Sequence, residues 1–277
     1  IFDYSRDIIA LKIDLLWNCS RRPVIIIQGR QGERSMKIGV VGLDAAGCII
    51  AGHLLAKTAH DICTYDPDGR RCGTIVRCDT AAELFDQCER IVIALAAPAE
   101  LTALCNAVSS FLHTGQIIID LTDTSPALAH SIANRMRRFD VSYLDCGIFG
   151  RNGLTEPFSM FVGGNGESFS AVQSLIRCFA PECRYVGPSG RGQAMRIICR
   201  ALASKLMCSI KDMEALAASF GVGRSAFIDL LGSFEEIAVP LAELEGKIPP
   251  FDYKELLRDA FLADEMARRA GLHVDGH

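Results

Sequence analysis

From Met36 onward, short apolar runs of four to six residues alternate with longer stretches in which apolar positions recur every three or four residues. The first pattern predicts strands buried on both faces, and the second predicts amphipathic helices. In order, the chain predicts a strand over 37–42, a helix over 46–57, a strand over 61–65, a helix near 80–87, a strand over 90–95 and a helix over 98–112. A strand over 116–121, a helix over 125–138 and a strand over 141–145 follow. Strand and helix alternating at this spacing predict an α/β fold, a doubly wound parallel sheet. Two further runs, 158–162 and 184–186, flank a helix at about 166–179 and extend the sheet. After Gly192 the strands stop. Residues 193–220 read as one long helix, followed by shorter ones near 223–232, 234–244 and 252–270. The expected organisation is therefore a sheet domain over 36–188 and an all-helical C-terminal domain over 189–277.

Residues 1–35 differ in character and end in the polar run 29–35. We treat them as an appendage of uncertain structure. Ile8, Ile9, Leu11, Leu15 and Leu16 can form one face of a short helix and 24–27 a strand; the alternative is upstream sequence read through from an earlier start.

Composition narrows the functional classes. An apolar fraction of 49% with 22% charged residues over 277 positions supports a full hydrophobic core. No apolar stretch reaches the roughly 18 residues that span a bilayer, so a membrane role is not expected. The net charge of −4 supplies no basic field for nucleic acid, which leaves a small-molecule substrate as the expected partner. The twelve cysteines lack CxxC or zinc-like spacing, so no metal site is expected, and Cys48, Cys63, Cys105 and Cys199 read as small buried hydrophobes. Asp3, Arg6, Asp7, Lys12 and Asp14 interrupt the apolar start before a signal core can form. A cytoplasmic location is the expectation.

Residues 36–55, MKIGVVGLDAAGCIIAGHLL, read as strand, glycine-rich turn and helix at the start of a βαβ unit. In that context the turn is a dinucleotide fingerprint of the Rossmann type. Gly42 makes the tight turn, Gly47 lets helix and strand pack closely, and the amides of Leu43, Asp44, Ala45 and Ala46 open the helix toward a pyrophosphate. Asp66, closing the strand CTYD, is positioned to accept both ribose hydroxyls and to repel a 2′-phosphate, which favours NAD over NADP. Leu95 and Ala96, ending the strand over 90–95, complete the expected cofactor contacts. Asp44 occupies the middle position usually held by glycine. Its carboxylate either faces the pyrophosphate, at a cost of about 4 kcal/mol for like charges near 4 Å, or caps the following helix.

Taken together, these motifs resemble the β-hydroxyacid dehydrogenase superfamily, the 3-hydroxyisobutyrate dehydrogenase and 6-phosphogluconate dehydrogenase-like enzymes. The resemblance covers Met36 to about Ala270. GLDAAG resembles the family's GLGxMG, DLTDTSP (120–126) its DxSTxxP, LDCGIFG (144–150) its DAPVSGG, MFVGG (160–164) its MVGG and GPSGRGQAMR (187–196) its GxxGxGxxxK. FLAD, preceded by Arg258 and Asp259, is similar to the family's KDxxLA, and a small deletion falls around 152–156. The resemblance implies an NAD(P)-dependent oxidoreductase that moves hydride between nicotinamide and a small hydroxyacid, or a related carbonyl or imine substrate. It also implies a homodimer formed through the helical domain.

The departures fall on the chemistry. Where the family has the lysine that handles the hydroxyl proton, this chain has Arg196, which does not release a proton near neutral pH but can orient an anion. The asparagine three residues on is Cys199. Phe149 replaces the serine that holds the substrate carboxylate and would shape an apolar pocket; Gly150 follows it, and then Arg151. Arg258 stands for the lysine near the nicotinamide, and Thr122 matches the family serine there. Arg200, four residues past Arg196, shares its helix face, and the two can grip a carboxylate or phosphate together. Asp120, Thr122 and Asp123 either meet the ligand or cap the helix ahead of Ser125 and Pro126. The expected catalytic residue is Arg196, with Thr122, Phe149, Gly150, Cys199 and Arg200 at the substrate. The alternative is a catalytically degenerate dinucleotide-binding pseudoenzyme, sensor or oligomerisation partner. Family members carry further helices past the Arg258 helix, whereas this chain stops at His277, so an incompletely covered cleft or a truncated gene product also stands as an expectation.

Overall fold

The computed structural model describes residues 35–150, 159–231 and 253–269. The appendage expected over 1–35, the deletion near 152–156 and the helix expected over 234–244 lie outside, or almost wholly outside, these residues. Eight strands form one sheet in the order β3-β2-β1-β4-β5-β6-β7-β8. They are β1 Lys37–Val41, β2 Asp61–Tyr65, β3 Val76–Arg77, β4 Arg90–Ile93, β5 Ile117–Asp120, β6 Ser142–Phe149, β7 Ser159–Gly163 and β8 Cys183–Gly187. Five helices connect them: α1 Ala45–Lys57, α2 Ala81–Gln87, α3 Pro98–Ala107, α4 Pro126–Arg137 and α5 Gly166–Arg177. Then come the long α6 Arg191–Ser219, α7 Arg224–Leu231 and α8 Tyr253–Arg269.

The central strands read as unbroken apolar runs because both their faces are covered. Ile38, Val40, Val92 and Ile119 face α1 and α5, where Ile50, Leu54, Phe169 and Ile176 meet them. Val41, Ile91, Ile93 and Ile118 point the other way, onto Leu84, Phe85, Leu101 and Met136 of α2, α3 and α4. Period-two alternation along each strand thus sorts its residues between two cores.

Four details depart from expectation. The sheet is not parallel throughout, since β7 runs antiparallel to β6. Strand β3 has only two residues, with Val76 two-thirds exposed, too short a run to carry a period. Helix α3 stops at Ala107 and passes through a single 3₁₀ turn, Ser109–Phe111. Cys63 and Cys105 are buried as expected, but Cys48 and Cys199 are only half-buried.

The start of α6 lies directly on the sheet. A Cβ on Gly192 would stand 2.2 Å from the Asp145 carbonyl oxygen, and one on Gly147 would stand 2.2 Å from the Gly192 carbonyl oxygen. Glycine is required at both positions because backbone meets backbone there. Gly190, in the left-handed region at φ 91°, has no capping side chain of its own. Asp145 of β6 supplies one from across the sheet, accepting from the Gly190 amide at 2.7 Å and the Gln193 amide at 3.1 Å. Burial pushes the Asp145 carboxyl above its usual range, and the amides of Gly190 and Gln193 offset part of that. Among the described residues no helix is long and apolar enough to cross a membrane.

Candidate functional site

The carboxyl ends of β1, β2, β4, β5 and β6 meet at one edge, where open α/β sheets bind their ligands. Backbone bonds lock this edge together. The Gly42 amide donates to the Tyr65 carbonyl at 2.9 Å, the Ala94 amide to Val41 at 2.8 Å and the Leu121 amide to Ile93 at 2.8 Å. The turn after β1 has the shape its glycines predict. Gly42 sits at φ +88°, and a Cβ on Gly47 would lie 1.8 Å from the Gly42 carbonyl oxygen, so helix and strand pack closely there.

Asp44 resolves to its capping alternative. It is the N-cap of α1, and its Oδ1 accepts from the Gly47 amide at 3.0 Å. The amides of Asp44, Ala45 and Ala46 have no hydrogen-bond partner among the described residues. The turn therefore fits a pyrophosphate in its backbone, and the Asp44 carboxylate sits on one of the donors such a ligand would use.

Asp66 departs from its expected part. It is 1% exposed. Its Oδ2 accepts from the Leu43 amide at 2.7 Å, while its Oδ1 accepts from the amides of Asp68 at 3.0 Å and Arg70 at 3.1 Å. The Arg70 guanidinium adds an ion pair at 3.6 Å. A carboxylate has about four acceptor positions; three take these backbone amides, and the Arg70 ion pair is too long to be a fourth hydrogen bond. Asp66 ties the phosphate turn to the loop that follows β2 instead of presenting oxygens to a ribose.

At the end of β5, Asp120 is wholly buried; its Oδ1 accepts from the Thr122 amide at 3.0 Å and its Oδ2 from the Tyr143 hydroxyl. Burial pushes its carboxyl up to about 6, against the opposing pull of its hydrogen bonds from Tyr143 and Thr122. Thr122 Oγ1 in turn accepts from the Leu95 amide at 3.3 Å, which joins two of the expected cofactor-side residues. Leu95 is buried and Ala96 is exposed. Ser125 caps α4, accepting from Leu128 at 3.2 Å, with Pro126 in its first turn, so neither Asp120 nor Asp123 is needed as a cap.

Asp123 instead faces α6. Its Oδ1 lies 3.2 Å from Arg196 Nε, its Oδ2 3.7 Å from Arg200 Nη1, and its carbonyl oxygen accepts from Arg258 Nη2 at 3.4 Å. Arg196 is fully buried and also donates to Gln193 Oε1 at 3.0 Å and the Thr124 carbonyl at 3.2 Å. The expectation that Arg196 and Arg200 together present an open grip to substrate is corrected: both close on a carboxylate of the chain itself. Arg200, at 15% side-chain exposure, is the less covered of the two. Phe149 and Gly150, at the carboxyl end of β6, are half-buried, as is Cys199 on α6.

Two residues that bind the site together escaped the sequence reading. Gln193 accepts from the Thr124 amide at 3.2 Å and donates to the carbonyls of Thr122 at 3.1 Å and Cys146 at 3.3 Å, joining β5, β6 and α6. Asp145 anchors the helix start described above. Both act across more than forty positions of sequence, and the one local signal is a polar residue inside an otherwise apolar or glycine-rich stretch.

A glycine turn on a buried strand, open amides at a helix start and a polar edge of parallel strands define a dinucleotide-binding domain. Residues 37–187 match the NAD binding domain of 6-phosphogluconate dehydrogenase, and the chain belongs to that family. An uncharacterized oxidoreductase of Bacillus subtilis is 24% identical over 258 residues, covering 86% of this chain and 88% of its own. The mitochondrial 3-hydroxyisobutyrate dehydrogenase of mouse is 25% identical over 197 residues, 65% of this chain and 58% of its own. In fold, the chain is similar to a Mycobacterium tuberculosis 3-hydroxyisobutyrate dehydrogenase described with L-serine. That likeness has a TM-score of 0.76 at 17% identity and covers 87% and 89% of the two chains. This is an oxidoreductase family with an NAD(P)-binding domain.

Proposed function

We propose that the chain is an NAD(P)-dependent oxidoreductase acting on a small anionic hydroxyacid, or on a related carbonyl or imine. The observation that carries this reading is the gathering of Arg196, Arg200 and Arg258 on Asp123, beside Thr122 at the carboxyl edge of the sheet. A bound nicotinamide supplies or accepts the hydride. The chain's own residues would hold the reactants: the open amides of Asp44, Ala45 and Ala46 would receive a pyrophosphate, and Thr122 would stand on the nicotinamide side. Arg200 and Arg258 are the arginines within reach of an anionic substrate, while Arg196 fixes Asp123 and, staying protonated, releases no proton to the reaction. The test is turnover, followed by the absorbance of the reduced nicotinamide, across small hydroxyacids, oxoacids and cyclic imines. Turnover that falls at least tenfold in Arg200→Met supports the reading; absence of turnover with every member of the panel opposes it.

The complete burial of Arg196 favours a second reading, a non-catalytic dinucleotide-binding partner. Arg196→Lys together with Asp44→Gly separates the two. If the pair creates oxidation of simple β-hydroxyacids where none existed, the site is degenerate.

We also propose that the protein is a homodimer through its helical part. Leu202, Met213, Leu216 and Phe220 leave apolar surface exposed along α6, and Phe261 does so on α8. Sedimentation of the protein beside Leu216→Glu/Phe220→Glu tests this, with a dimer expected for the first and a monomer for the second.

A further inference from the structure

Three of the buried cysteines meet on the face of the sheet that α2 covers. Cys63 stands in the middle of β2, Cys78 just past β3 and Cys88 at the end of α2, all in one apolar core with Leu84, Phe85 and Ile91. The Sγ atoms of Cys63 and Cys88 are 3.2 Å apart, and Cys78 is close enough to Cys63 to hydrogen-bond to it. Gly39 makes this approach possible. It pairs with Cys63 across β1 and β2, and a Cβ there would lie 3.2 Å from Cys88 Sγ and 2.4 Å from Leu84 Cδ2. A larger residue at that position would push α2 outward and part the two sulfurs.

We propose that Cys63 and Cys88 are a modification site, a dithiol that a small hydroperoxide converts to an internal disulfide bracing β2 to the end of α2. From 3.2 Å, an ordinary disulfide asks the two sulfurs to close by roughly 1.1 Å. The bond would join positions 25 apart in sequence, and closing a loop of that length restricts the unfolded chain. The step is a two-electron oxidation. One sulfur attacks the peroxide, the O–O bond breaks, and that sulfur becomes a sulfenic acid while water departs from hydrogen peroxide, or an alcohol from an organic peroxide. The second sulfur then displaces hydroxide, the S–S bond forms, and the two thiol protons leave in the released water or alcohol. The peroxide is reduced and the two thiols are oxidised.

The hydrogen bond to Cys88 and then burial push the Cys63 thiol well above its usual range, and burial pushes Cys78 up to about 12. The thiolate is the reacting form, so oxidation runs through local opening and is slow. The sheet edge is where that opening begins. Strand β3 has two residues, pairs with β2 at Cys63 and Thr64, and leaves Val76 two-thirds exposed. The site is independent of the cofactor reading.

Treatment of the whole folded chain with hydrogen peroxide tests the assignment, with remaining thiols blocked by N-ethylmaleimide and tryptic fragments weighed without reductant. Residues 58–70 carry Cys63, and 78–90 carry both Cys78 and Cys88. The expected result is these two fragments joined, lighter than their sum by two hydrogens and released by dithiothreitol. The link is expected to survive in Cys78→Ala and to vanish in Cys63→Ala and Cys88→Ala. Should a variant fold poorly, further cleavage after Glu83 separates Cys78 from Cys88, so the partner is read in the natural protein. Oxidation should also raise Tm by at least about 3 °C over the reduced protein. A bond to Cys78 in place of Cys88 overturns the pairing. Fragments that stay separate, or oxidation confined to the exposed Cys208, overturn the site. A Cys63–Cys88 link that leaves Tm unchanged overturns the bracing.

Discussion

Asp123 and Arg196 form an ion pair at 3.2 Å in which the arginine is fully buried and the carboxylate about one-third exposed. Breaking a buried pair costs several kcal/mol because the remaining charge loses compensation in a poorly solvated place. Asp123→Ala is expected to destabilise the protein by about 2–4 kcal/mol in urea unfolding, discounted for the exposure of the acid. A loss below about 0.5 kcal/mol would place the compensation elsewhere.

Asp44 has two effects that one substitution separates. Asp44→Asn keeps an oxygen for the Gly47 amide and removes the charge from the pyrophosphate position. Helix capping is then retained, and Tm should change little. Dinucleotide affinity should rise at least tenfold, which corresponds to about 1.4 kcal/mol of the repulsion. The readout is Kd by calorimetry, and equal affinities would mean that the carboxylate swings clear of the ligand.

The buried Asp120 makes stability depend on pH. Its carboxyl is pushed up to about 6 in the folded protein, from 3.8. The folded state thus holds the proton more tightly than the unfolded chain does. The stabilisation this represents is fully present below about pH 4 and is lost as pH rises through about 6, a change of roughly 3 kcal/mol. Urea unfolding of the protein and of Asp120→Asn from pH 4.5 to 7.5 should give curves whose difference follows that window. Parallel curves would remove Asp120 from the account.

Loss of the cap supplied by Asp145 should loosen the long helix at its first turn. Asp145→Ala leaves the amides of Gly190 and Gln193 without their carboxylate, at a cost of about 2–3 kcal/mol. Amide hydrogen exchange should quicken over residues 190–197 more than over β1 and β4. Uniform quickening would indicate global loss of stability instead.

The sequence exposes features whose cause is local. Strands such as Lys37–Val41 and Asp61–Tyr65 are readable because burial on two faces writes an apolar run. Ser125 and Pro126 are readable because a cap and a first turn need those residue types. Strand direction is not written that way, so the antiparallel β6–β7 pair was out of reach. The same limit applies to Asp66: its position is legible, but its hydrogen-bond partners are backbone amides, which carry no letter in a sequence. The pair Asp123–Arg196 joins positions 73 apart, and each residue alone reads as a replacement of a family residue without showing that they meet.

Helix α6 has 29 residues, so it is about 43 Å long. The bonds from Asp145 and Gln193 grip it at one end only, which makes it a lever with its fulcrum at the sheet. A tilt of about 5° about that fulcrum would carry the Ser219 end through nearly 4 Å while moving the backbone at Arg196 by less than 1 Å. Motion in the helical part of the molecule can therefore change the space at the far end of α6 while leaving Arg196 nearly in place.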